Sequence, residues 1–142
     1  MSSHGQCLCE EIQYTVDGPL RDIINCHCTR CRRSTGHFMA ATSVKRDDVQ
    51  ISGDTLKWYE PVDGTEYGFC ANCGSTLFWR TTRYPKFMSI AAGTLTPPTG
   101  LKTTTAIFLD YGSDYHHYDK TLDSYREDAV ATAPPPSEPS QQ

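Results

Sequence analysis

The sequence predicts a mostly β domain of many short antiparallel strands with very little helix. Short runs rich in β-branched and aromatic residues recur along the chain, and turn signals separate them. No stretch sustains helical periodicity over about ten residues or more. In chain order, GQCLCEEIQYTV (5–16) alternates over part of its length and runs into the turn DGP. Residues 29–34 read as a short helical turn overlapping a cysteine cluster. HFMAATSVK (37–45), VQISG (49–53) and LKWYEP (56–61) read as strands, punctuated by RDD, GD and VDG. TEYGFC (65–70), STLFWRTT (75–82), KFMSIAAGTL (86–95) and TAIFLDY (105–111) continue the series.

The chain has 142 residues, enough for one domain with a real core. The boundary is expected at residue 126, because EDAVATAPPPSEPSQQ (127–142) lacks the apolar content to offset the entropy of ordering it. Charged residues make up 21% and hydrophobic residues 37%, a soluble balance. The net charge is −4, from 13 Lys and Arg against 17 Asp and Glu, which argues against a nucleic-acid partner. The local run Arg30, Arg32 and Arg33 is the basic exception. No apolar run approaches the roughly 18 residues of a membrane span. MSSHGQCLCEE shows no signal-peptide pattern, so a cytoplasmic address is expected. In a reducing compartment, clustered cysteines read as metal ligands before disulfides.

The 7 cysteines form three groups: Cys7 with Cys9, the triplet Cys26, Cys28 and Cys31, and Cys70 with Cys73 in FCANCGS. The last pair, followed by glycine, resembles a zinc knuckle, in which a turn aims N–H groups at thiolates. Structural zinc is closed with four ligands, whereas catalytic zinc keeps three protein ligands and one open position. Seven divides as four plus three. The two pairs then close a four-thiolate site that clips a loop of about sixty residues. The triplet is left as the open site. A competing reading makes both sites structural, with His37 as the foremost candidate for a fourth ligand. His27, between two ligands in an extended segment, points away from the metal. His116 and His117 read as surface. Some cysteines could also serve only as buried apolar residues.

The order GQCLCEEIQYTV, NCHCTRCRRSTGHFMAATSV, FCANCGSTLFW resembles the glutathione-dependent formaldehyde-activating family, or CENP-V/GFA domain. The resemblance runs from about Gly5 to Tyr125. It implies a β-tent fold and two zinc ions per chain. The structural zinc would lie on Cys7, Cys9, Cys70 and Cys73, and the catalytic zinc on Cys26, Cys28 and Cys31. It also implies a carbon–sulfur lyase joining glutathione, or another small thiol, to formaldehyde or a related aldehyde as an S-hydroxymethyl adduct, or the reverse. Glutathione is anionic, and Arg32 and Arg33 follow the triplet, so both are candidates to pair with its carboxylates. Thr35 is expected to cap backbone N–H groups. Two other classes compete: a non-enzymatic zinc module for structure or protein interaction, and a thiol-redox or metal-sensing protein.

Overall fold

The computed structural model describes residues 2–127. The expected tail therefore lies outside the described residues, apart from Glu127, whose carbonyl accepts from Phe108 N at 2.9 Å.

Residues 5–16 do not form one strand. They fold into β1 (Ser3–Gln6) and β2 (Gln13–Val16), an antiparallel pair joined through a tight cysteine-bearing turn. Cys7 N donates to Ile12 O at 3.0 Å, and Glu10 takes a left-handed φ of 68°. Such a turn bends Cys7 and Cys9 toward each other, which an extended strand would not allow. β5 (Val49–Ser52) completes this small sheet beside β2.

The larger sheet contains eight strands. In chain order they are β3 (Ile23–Cys26), β4 (Met39–Lys45), β6 (Leu56–Val62), β7 (Thr65–Cys70), β8 (Thr76–Thr81), β9 (Phe87–Ala91), β10 (Thr103–Ile107) and β11 (Asp123–Ser124). Across the sheet the order is β11-β10-β3-β4-β9-β8-β7-β6. All pairings are antiparallel except those of β10, which runs parallel to both β3 and β11. The turn RDD is a 3-10 turn at Arg46–Asp48, as its charge and position between strands suggest. The only α-helix among the described residues is α1 (Thr29–Thr35), seven residues between β3 and β4. Among them no helix is long and apolar enough to cross a membrane.

Side-chain alternation sorts the large sheet into two faces. One face packs on the small sheet. Ile12, Tyr14 and Val16 from the first turn and β2 meet Val44, Leu77, Phe78 and Ile90, with Cys7 and Cys70 in the same cluster. Gly5 lies where the sheets approach, bridged to Leu95. A Cβ there would run into the Tyr14 hydroxyl and the Thr94 carbonyl oxygen, so only glycine fits. The opposite face carries a second cluster of Cys31, Met39, Ala41 and Tyr67, with Cys26, Cys28 and Trp79 packed against it. The two thiol groups thus sit on different faces of one sheet.

Candidate metal centres and the adjoining cavity

Cys7, Cys9, Cys70 and Cys73 converge although 61 residues separate Cys9 from Cys70, and their sulfurs all lie within 4.8 Å of one another. The β1–β2 turn carries the first pair and the β7–β8 turn the second. Cys7 Sγ is 3.6 Å from Cys9 Sγ, and Cys9 Sγ is 3.7 Å from Cys70 Sγ. These spacings are too long for disulfides, whose sulfurs lie about 2.05 Å apart. They match the edge of a tetrahedron around zinc, about 3.8 Å for Zn–S bonds of about 2.3 Å. Polar groups surround the sulfurs. Ile12 N donates to Cys7 Sγ at 3.3 Å, and Cys73 N to Cys70 Sγ at 3.5 Å. Thr55 Oγ1 lies 3.3 Å from Cys70 Sγ, and Ser75 Oγ lies 3.1 Å from Cys73 Sγ. The Ser75 contacts hold the Cys73 thiol down to about 5, while burial pushes Cys7 up to about 11. Four thiols, Cys7 and Cys70 buried and Cys9 and Cys73 partly so, with donors around them, fit a closed metal site.

The second group is Cys26, Cys28 and Cys31, whose sulfurs also lie within 4.8 Å of one another. Cys26 ends β3, and Cys28 is the N-cap of α1, its sulfur accepting from Cys31 N at 3.3 Å. The helix start therefore folds the C-x-x-C segment back on itself. Hydrogen bonds from the Cys26 and Cys31 thiols, aided by the Cys31 and Arg30 N–H groups, hold the Cys28 pKa far below the ordinary thiol range. A negative sulfur at a helix N-cap is also favoured by the dipole. Tyr67 Oη lies 3.4 Å from Cys31 Sγ. Burial, and next the charge of Cys31, push the Tyr67 phenol upward, so it keeps its proton. Thr35 Oγ1 donates to Cys31 O at 2.7 Å and accepts from His37 N at 3.2 Å, the expected cap. Gly36 ends the helix with φ 88°.

No histidine joins either thiol group among the described residues. His27 is 1% exposed and turns into an aromatic cluster, with ring centroids 4.8 Å from Phe38, 5.4 Å from His116 and 5.0 Å from Tyr118. His37 lies in the same cluster, 4.5 Å from His116. The reading of His116 as surface is corrected: it is half-buried against His27, whereas His117 is exposed.

A cavity of about 340 Å³ adjoins the triplet and is not lined by the four-thiol group. Cys26, Cys28 and Cys31 form one end, and Ile107, Phe108 and Trp79 supply apolar wall. The lining arginines are Arg21, Arg30 and Arg83. Arg32 and Arg33, expected at the substrate, are not among the lining residues. Arg32 Nε instead donates to Tyr111 O at 3.0 Å, tying α1 to the turn Leu109–Tyr111. No local motif marks Arg21 or Tyr67. Strand register brings them to the site, and only pairing information could have found them.

The sequence matches the family model described as glutathione-dependent formaldehyde-activating enzyme over residues 2–111. It is 32% identical over 79 residues to an uncharacterized lyase of Schizosaccharomyces pombe, a match spanning 55% of this chain and 57% of that protein's length. Its structure is similar to the crystal structure of a Rhodobacter sphaeroides protein, with a TM-score of 0.57 and 22% identity over 71% of this chain and 99% of that one. That last likeness speaks to the fold alone. The family match takes in all seven cysteines and every residue that lines the cavity. The chain therefore belongs to the glutathione-dependent formaldehyde-activating enzyme family.

Proposed function

We propose that the protein is a zinc-dependent carbon–sulfur lyase that joins a small thiol such as glutathione to formaldehyde or a related aldehyde, or catalyses the reverse. One observation carries this reading: the three-thiol group lines a 340 Å³ cavity, and none of the four-thiol group does. A cavity with a short donor set suits small-molecule chemistry better than an interaction module, which would present a face. In this reading Cys7, Cys9, Cys70 and Cys73 would hold a structural zinc, and Cys26, Cys28 and Cys31 a catalytic one. Held there, zinc would supply the Lewis acidity that lowers the pKa of an added thiol.

The protein's own residues do the rest. Cys28 keeps its negative charge through the α1 cap and its thiol neighbours. Tyr67 Oη, 3.4 Å from Cys31 Sγ, would donate to that sulfur as a thiolate and moderate the charge gathered there. The apolar wall at Trp79, Ile107 and Phe108 limits the water around the reacting atoms. Overall, the S–H bond breaks and a sulfur–carbon bond forms. The carbonyl π pair becomes a hydroxyl by taking up a proton, and nothing is oxidised. Cytoplasmic residence and a folded unit over residues 1–126 complete the proposal.

The test combines metal analysis with exchange NMR of ¹³C-formaldehyde and glutathione. Two zinc ions per chain are expected, with accelerated interconversion of the free aldehyde and the S-hydroxymethyl adduct. Full zinc occupancy with an unchanged exchange rate for every small thiol tried would refute the enzymatic reading.

A further inference from the structure

Two buried polar groups on the cavity wall have no hydrogen-bond partner: Arg21 Nε and Tyr84 Oη. Arg21 is 8% exposed. Its Nη2 donates to Ala41 O at 3.2 Å, and among the described residues no carboxylate pairs with it. The adjacent Asp22 carboxylate accepts from Lys102 N at 3.0 Å instead. Burial draws the Arg21 guanidinium down to about 10, with Asp22 acting the other way, so the group is still a cation at neutral pH. A buried cation with an unused donor is unfavourable unless an anion meets it.

Strand register locates this group. Cys26 pairs with Met39 and Ile24 with Ala41, while Arg21 N donates to Ser43 O at 3.1 Å. Met39, Ala41 and Ser43 all line the cavity. Arg21 therefore sits four residues along β4 from the thiol level, roughly 13 Å at about 3.3 Å per residue. Tyr84 lies in the β8–β9 turn, its N–H on Thr81 O, beyond the level where Ser43 faces Ser89. Exposed Arg83 lines the same end, its guanidinium 5.3 Å from the Tyr84 ring centroid. The cavity thus has thiols at one end, apolar walls between, and a buried cation with a phenol at the other.

We propose that this far end is a carboxylate subsite in which Arg21 and the Tyr84 hydroxyl bind the terminal carboxylate of a peptide thiol whose sulfur lies at the Cys26, Cys28 and Cys31 group. In a tripeptide thiol with the cysteine in the middle, about two residues or roughly 7 Å separate it from a terminal carboxylate, and the arginine side chain covers the remainder. The carboxylate supplies the acceptor that Arg21 Nε lacks and a partner for Tyr84 Oη. A thiol without a distant carboxylate fills only the near end. The sulfur's placement rests on the function proposed above, whereas the anion site rests on Arg21 and Tyr84 alone.

The experiment separates the two. Calorimetry on the zinc-loaded protein compares S-methylglutathione, which has carboxylates and no ionisable thiol, with its dimethyl ester. The acid is expected to bind at least about tenfold more tightly. Arg21→Met should erase that preference, and Tyr84→Phe should reduce it several-fold. Should Arg21→Met fail to fold, Arg21→Lys and Tyr84→Phe decide, since both keep the buried volume nearly intact. In parallel, 2-mercaptoethanol is added to cobalt-substituted protein, and thiolate-to-metal absorption reports on the near end. An equal affinity for acid and ester, or a preference untouched by the variants, overturns the subsite. If the cobalt spectrum still responds, the thiol-binding function survives that loss. An Arg21-dependent preference with an unresponsive cobalt spectrum upholds the subsite and removes the thiol-binding function.

Discussion

Replacing Cys9 by serine tests the division of labour between the two thiol groups. Cys9 is only partly buried, so the substitution opens little cavity, yet its sulfur is one of four within 4.8 Å. Serine is a poor zinc ligand, and losing the metal releases a clip between segments 61 residues apart. Closing a loop of about sixty residues is worth roughly 4 kcal/mol by chain entropy. Unfolding entropy of about 2.1 cal/mol/K per residue converts this to a fall in Tm of roughly 15 °C. Cys28→Ser is the control. Cys28 closes only a local segment, and its contact in the fold is the N-cap bond to Cys31 N at 3.3 Å. Serine is itself a good N-cap, so the change should stay within about 1 kcal/mol, or roughly 4 °C. Thermal unfolding followed by circular dichroism, with zinc content measured on each sample, provides the comparison. If Cys28→Ser were as destabilised as Cys9→Ser, the triplet would be a structural site and the four-plus-three reasoning would be wrong.

Further outcomes follow from the same geometry. Chelator titration should withdraw one zinc from the cavity side with the circular dichroism spectrum unchanged, and the second only with unfolding, because binding energy at a closed site is folding energy. Simultaneous loss of both would contradict this. Tyr67→Phe should leave Tm nearly unchanged and lower the aldehyde–thiol exchange rate by about tenfold or more, since with zinc on the triplet it removes one hydrogen bond to the Cys31 thiolate, 3.4 Å away. Gly5→Ala should destabilise by about 1–3 kcal/mol in urea unfolding, because Thr94 O and Tyr14 Oη occupy the space of the added methyl. Burial pushes the Tyr14 phenol up to about 12 from 10.0, with the Thr94 hydrogen bond acting oppositely. The unfolded chain releases that proton first, so this contribution is intact below pH 10 and lost on rising to pH 12. Wild type should lose about 3 kcal/mol more than Tyr14→Phe across that window in urea titrations.

What the sequence made legible was what is local. The C-x-C and C-x-x-C spacings named every thiol in both groups, because each short turn places its own pair. The helix read at 29–34 ends one residue later, where Gly36 takes the left-handed cap. Short strands with turn punctuation were readable for the same reason. β3 was not, since four residues between a turn and a cysteine cluster show no alternation to detect. The single run 5–16 hid a hairpin, because its apolar pattern continues through the turn that the thiols require.

The arginines show where local reading fails. Arg32 and Arg33 were chosen because they follow Cys31 in the chain. Neither lines the cavity, and Arg32 is tied to Tyr111 O instead, whereas Arg30 on the other side of Cys31 does line it. Arg21 precedes the triplet with no pattern around it, and only the pairing of β3 with β4 sets it on the same wall as the thiols. Metal binding is thus written in spacings of two and three residues, where turns decide geometry. The end of the cavity remote from the metal is written in strand register, between residues that have no common motif. Substrate identity should be read from that end of the cavity, and chemistry from the other.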